Sequence, residues 1–191
     1  MSEKLKKIRR LWDNGLFRSF IMLIILLLCV LAFQRILVII LKTEYPLTTP
    51  ETDSMTPTIK VGDLLIVQGG LRGEDIHASQ SDGDIIVFKD PRNISSKPIV
   101  HRAIEKYYNG SMWLFRTKGD KKGLPADPWW VPESYIYGKV IFIIPYLGYI
   151  KIYLGNEFGM MMIIILLVIL LIFENLDLIR KKNGGVKSEP D

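Results

Sequence analysis

Two long apolar runs decide most of what this chain can become. The first extends from Phe20 to Leu41, broken only by Gln34 and Arg35, and the second from Phe158 to Phe173 without a single charge. A bilayer core about 30 Å thick takes roughly 20 apolar residues in a helix, and about 17 still suffice. The first run meets that length with Arg35 snorkelling toward the interface. The second is slightly short and spans with the help of its flanks or a locally thinned bilayer. A cleavable leader has an apolar core of about 7–15 residues followed by a small-x-small site. Here the run is longer and no such site follows, so the basic stretch Lys4 to Arg10 introduces a retained anchor.

Charge placement orients the chain. Residues 1–42 hold 8 Lys/Arg and 2 Asp/Glu, residues 43–157 hold 13 and 14, and residues 158–191 hold 4 and 4. Basic residues hug the inner flank of each apolar run, with Arg180, Lys181 and Lys182 just past the second. The positive-inside rule then puts both termini in the cytoplasm. The expected organisation is a basic cytoplasmic N-terminus over 1–18, a transmembrane helix over 19–41 and an exported domain over 43–157. A second transmembrane helix over 158–174 and a polar cytoplasmic tail over 175–191 complete it. The net charge of +5 is thus a matter of topology. The lipid bilayer is an expected partner and nucleic acid is not.

The one cysteine, Cys29, lies inside the first run, so the exported domain holds together without disulfides. Between the spans, short apolar runs alternate with Gly, Asp, Asn and Pro clusters. Leu64–Val67, Ile85–Phe88, Ile99–Ile104, Met112–Phe115 and Tyr135–Ile144 read as strands of a mostly antiparallel β domain. Ile150 to Glu157 reads as a short interfacial segment, with Tyr149, Tyr153 and Lys151 suited to the headgroup level. Asn93 and Asn109 head Asn-x-Ser triplets. Asn109-Gly110 is a strong hairpin signal. A two-residue loop there pairs Tyr108 with Ser111 and His101 with Lys118, and brings Asp120 back to the His101 side as a diagonal neighbour.

Of the two histidines, His77 lies in a polar loop and reads as solvated. There is no HxxH or CxxC pair and no Gly-rich phosphate loop, so no metal or cofactor is expected. His101 lies mid-strand. Imidazole titrates near neutral pH, at about 6.5, and a carboxylate beside it fixes its tautomer, which suits a general base. Lys118, opposite His101 in the two-residue register, is a rival base, but it would need deep desolvation to lose its proton. Ser54 stands about a dozen residues beyond the first run. On spacing alone it is an ordinary turn serine.

A series of boxes in family order changes that. Asp53-Ser54-Met55-Thr56-Pro57-Thr58-Ile59 with Gly62-Asp63 resembles the first signature of type I signal peptidases, in which a serine before Met-x-Pro-Thr is the nucleophile. Gly83-Asp84-Ile85-Ile86-Val87-Phe88 is similar to the next strand. Val100-His101-Arg102 resembles the His-Arg box of the archaeal and eukaryotic branch, where bacterial enzymes carry Lys-Arg. Thr117-Lys118-Gly119-Asp120 resembles its acidic box and Gly138-Lys139-Val140 its closing strand. The likeness runs from about Thr52 to Tyr149. Asp53 stands where the family usually has Gly, and Lys121 and Lys122 where it usually has two Asn.

The resemblance implies a small antiparallel β domain of the signal peptidase kind, tethered by two transmembrane helices. It implies a serine endopeptidase that removes signal peptides from exported preproteins. Ser54 is then the nucleophile, His101 the base, and Asp120 or Asp127 the acid that completes the triad. Thr52 and the Ser54 amide are implied as oxyanion donors. Implied partners are signal-peptide-bearing preproteins and the secretion machinery. The cell membrane is the expected location, with the endoplasmic reticulum membrane the alternative. Rival readings are a dedicated processor of a few surface proteins and a non-catalytic, membrane-tethered β binding domain.

Overall fold

The computed structural model describes residues 15–93 and 97–154, together with 159, 161, 162, 165, 167 and 169. Most of the expected second span, and Ile94 and Ser95 of the first Asn-x-Ser triplet, lie outside the described residues. The chain divides into two units, one of 1–34 with 154–191 and one of 35–153.

Helix α1 covers Gly15–Leu41. Nothing in its sequence breaks it: there is no proline, and its apolar side chains face outward all round. Its stretch Phe17–Leu41 is, among the described residues, the one helix long and apolar enough to cross a membrane. It stops where Lys42 turns into the left-handed region, φ 49°. That conformation ends helices by releasing their last carbonyls. One of these, the Leu41 oxygen, accepts from the Gly69 N–H at 2.8 Å.

The second unit is built on one seven-stranded sheet. Its strands are β1 (Leu47–Thr48), β2 (Leu64–Gln68), β3 (Ile85–Phe88), β4 (Ile99–Tyr108), β5 (Trp113–Lys118), β6 (Trp130–Pro132) and β7 (Ile136–Ile144). Helix α2, Gly148–Leu154, follows. The strand order is β1-β2-β7-β3-β4-β5-β6, and every neighbouring pair is antiparallel. The expected β domain is therefore present. The five strands read from the sequence are all there, Ile85–Phe88 with the ends expected and the other four with shifted ends, and β1 and β6 are additional.

Both faces of the sheet are covered at its centre. That is why β3 reads as a continuous apolar run: Ile86, Val87 and Phe88 are all fully buried, each needing an apolar neighbour on its own side. Val87 packs with Met55, Ile59, Leu65, Val67 and Val100. Ile86 and Phe88 pack on the other side with Ile76, Ala103, Phe115 and Val131. The segment just after Ser54 is thus pinned to the sheet through Met55 and Ile59, which is how a serine in a turn acquires a fixed position.

The β4–β5 hairpin departs from the two-residue expectation. Tyr108 pairs with Trp113, not Ser111, and Arg102, not His101, pairs with Lys118. Asn109 uses its side-chain oxygen to accept from the N–H groups of Ser111 and Met112, at 3.0 and 2.9 Å. This makes a four-residue loop, since Asn readily caps its own turn. The wider loop moves the ladder by two residues from that expectation, and a register shift between Ala103 and Glu105 takes one back. Ladder and face assignments change with each such step, and the Lys118–His101 pairing is lost.

Candidate active site

Ser54 lies in the turn that runs into the buried pair Met55 and Ile59, and His101 lies near the start of β4. Their atoms meet: the Ser54 hydroxyl is 3.2 Å from His101 Nε2. The other ring nitrogen, Nδ1, is 2.7 Å from Asp127 Oδ2. The His101 and Asp127 side chains are only 15% and 11% exposed, so their contact is shielded from competing water.

Asp127 is fixed from two directions. Its carboxylate accepts from the hydroxyl of fully buried Thr117 at 2.6 Å, and its N–H donates to the Thr117 carbonyl at 2.8 Å. The loop after β5 thereby folds back along its own strand before β6 begins. A carboxylate held this way presents an acceptor to Nδ1–H, which leaves Nε2 as the acceptor facing Ser54.

Asp120 takes a different partner. The register that put it beside His101 is not the one observed. Its two oxygens accept from Arg102 Nε and Nη2 at 2.8 and 2.6 Å. Arg102 Nη1 also donates to the Gly83 carbonyl at 2.6 Å. Burial pushes the Asp120 carboxyl up, but Arg102 and the Thr58 hydroxyl outweigh it, and the group sits below the ordinary carboxylate range. The same pairing raises Arg102. Lys118 opposes Arg102 and, with Asp120, lines a separate cavity that does not include Ser54 or His101. His77 stays exposed.

Three contacts around Ser54 were not foreseen. Gly119 lies so close that a Cβ there would come within 2.5 Å of the Ser54 carbonyl oxygen and 3.3 Å of His101 Nε2. The Lys121 N–H donates to that same Ser54 carbonyl at 2.9 Å. The Lys121 ammonium pairs with Asp53, so two of the three positions that depart from the signal peptidase pattern meet each other. Only the family pattern marks these positions as unusual. The third contact, Thr52 Oγ1 donating to Ser54 Oγ at 3.1 Å, puts the expected oxyanion hydroxyl on the expected nucleophile.

The serine opens into a groove of about 490 Å³. Thr48–Thr52 line it together with Pro98–His101, and Trp129 and Lys151 also contribute. Arg92 stacks on the Trp129 ring at 4.3 Å, and Lys97 meets Glu51 at 2.6 Å. Among the described residues no group of three His, Cys, Asp or Glu side chains could hold a metal ion.

Residues 17–105 match the family model described as signal peptidase, peptidase S26. The chain is 31% identical over 184 residues to the signal peptidase complex catalytic subunit SEC11 of Schizophyllum commune, covering 84% of this chain and 90% of that protein. The chain belongs to the signal peptidase family. Further signal peptidase relatives share less of it. The SEC11 subunit of Pyricularia oryzae is 30% identical over 59% of this chain and 65% of its own length. That of Neurospora crassa is 29% identical over 62% and 69%. The signal peptidase match over residues 17–105 takes in most of α1, Ser54 and His101, whereas Asp127 lies beyond it.

Proposed function

We infer that the protein is a membrane-bound serine endopeptidase that removes signal peptides from exported preproteins, with Ser54 as nucleophile, His101 as general base and Asp127 as the acid that orients it. The observation that carries this is the unbroken line Ser54 Oγ, His101 Nε2, His101 Nδ1, Asp127 Oδ2, with steps of 3.2 and 2.7 Å, opening on a groove. Ser54 attacks the carbonyl of the scissile bond while His101 takes its proton. Asp127 holds the ring in the tautomer that can accept that proton and stabilises the imidazolium that forms. His101 then hands the proton to the leaving amine. A water, activated by the same base, hydrolyses the acyl-enzyme and frees Ser54.

The developing oxyanion is met by the Ser54 N–H and the Thr52 hydroxyl. In the resting site that hydroxyl donates to Ser54 Oγ, and it turns to the oxyanion as the serine oxygen bonds to carbon. Asp120 serves the fold instead, by neutralising Arg102. The β domain lies on the outer side of the membrane, with the second apolar run as a second span. Anchoring keeps enzyme and preprotein in one two-dimensional phase, which raises their effective concentration.

The test is cleavage of a preprotein by the full chain in proteoliposomes. Wild type yields a shortened product and Ser54→Ala does not. Equal cleavage by Ser54→Ala would overturn the assignment. His101→Ala loses cleavage as well, because the serine proton then has no acceptor. Cleavage that survives in His101→Ala would exclude His101 as base.

A further inference from the structure

Asp53 and Lys121 flank the line from Ser54 through His101 to Asp127 without belonging to it. Neither charge is part of the usual signal peptidase pattern, which has Gly at the first position and Asn at the second. The two residues are opposite in sign and far apart in the chain, yet the Lys121 ammonium pairs with the Asp53 carboxylate. Lys121 holds that carboxyl below its ordinary value. The Asp53 and Lys121 side chains are 65% and 47% exposed, and a pair so open to water adds little to the stability of a fold. What matters is what the pair joins.

On one side is the Ser54 turn. The Asp53 carbonyl accepts from the Thr56 N–H at 3.0 Å and the Met55 carbonyl from the Ile59 N–H at 2.9 Å, so the turn is braced within itself. On the other side is the loop after β5, from Gly119 to Asp127. The Lys121 carbonyl accepts from the Leu124 N–H at 3.2 Å, and the loop ends where the Asp127 N–H meets the Thr117 carbonyl at 2.8 Å. The Lys121 N–H on the Ser54 carbonyl, at 2.9 Å, is a first tie between turn and loop. One hydrogen bond fixes a distance but lets two segments pivot about it. The ion pair is a second tie, on the residue just before Ser54, and it stops the pivot.

We propose that the Asp53–Lys121 ion pair is a positioning clamp that holds the Ser54 turn and the Asp127 loop as one body. The pair touches no substrate and acts through Ser54, so its effect on rate rests on the peptidase reading. The distance from Ser54 Oγ to His101 Nε2 is already 3.2 Å, the outer end of the ordinary hydrogen-bond range. A turn that pivots lengthens it, and misplacement by about 1 Å costs about 10² in rate.

Charge exchange tests the clamp on the full chain in detergent, with cleavage of a preprotein as the readout. Asp53→Lys and Lys121→Glu each lower kcat roughly three- to tenfold, through loss of an exposed pair and the like-charge contact that replaces it. KM and the melting temperature stay as in wild type. The double variant restores the pair with its signs exchanged and returns kcat to within about twofold of wild type, a coupling that independent sites do not show. Lys122→Glu makes the same change in net charge at the next residue, whose ammonium enters no ion pair among the described residues, and leaves kcat unchanged. Singles that cleave like wild type, a double no faster than its slower parent, or an equal loss in Lys122→Glu would each overturn the clamp.

A second arm is independent of catalysis. In Asp53→Lys the Lys121 amide exchanges its hydrogen faster, by a factor similar to the loss in kcat, while the Asp127 amide keeps its rate. Unchanged exchange at Lys121 would overturn the clamp even if the variant cleaves slowly. Equal cleavage by Ser54→Ala would instead sink the peptidase reading, and the exchange rates would still decide the clamp.

Discussion

At the scale of single residues, the two acids separate by their partners. Asp127 touches His101, the proposed base, so Asp127→Asn leaves the fold intact and lowers kcat by about 10³–10⁴, the loss expected when the imidazole takes the wrong tautomer. Steady-state cleavage alongside circular dichroism measures this. Asp120 touches Arg102 with both side chains largely buried, 13% and 15% exposed. Asp120→Asn leaves a buried cation half paired and destabilises the protein by about 3 kcal/mol. Because the folded state holds this carboxyl below its ordinary value, its contribution is fully present above that value and is lost as pH falls through the folded one. Denaturant melts of wild type and Asp120→Asn therefore converge in acid and diverge toward neutral pH. Arg102, which stays charged throughout, contributes no slope in that window.

At the scale of elements, the sheet positions the site by bringing a turn, a strand and a returning loop to one place. Gly119 sits where these approach most closely. Gly119→Ala pushes against the Ser54 carbonyl, and a shift of even about 1 Å in the nucleophile costs about 10² in rate. The expected result is a loss of kcat with little change in KM or in secondary structure. This is also the scale at which sequence reading succeeds and fails. Leu65 and Val67 alternate with half-buried neighbours, and Ile85–Phe88 is bounded by turn residues, so β2 and β3 are legible from period and punctuation. β1 has two residues and β6 has three, one of them Pro132. Neither is long enough to show a period. The β4–β5 loop was misread because Asn109 caps a wider turn with its own side chain, and local sequence does not announce the register shift near Ile104. Ser54 is legible only through the family boxes, whereas His101 also stands out by imidazole chemistry at mid-strand. Asp127 stayed one of two candidates, since its place depends on a loop folding back onto Thr117.

At the scale of the whole molecule, the domain of residues 35–153 stands without a covalent cross-link, and Cys29 lies in α1. Cys29→Ser therefore leaves both the cleavage rate and the melting temperature of the detergent-solubilised chain unchanged, with or without reductant. Ser54 is 47 residues from His101, and Asp127 a further 26, so no local segment contains all three. The strand order carries this further. β1 and β2, next to the Ser54 turn, are joined by ladder hydrogen bonds to β3, β4, β5 and β6 only through β7, the last strand to be made. A ribosome must deliver residues 136–144 before the two halves of the sheet can zip together. The turn that carries Ser54 and the strand that carries His101 therefore share one continuous sheet only once the C-terminal strand of the domain is in place.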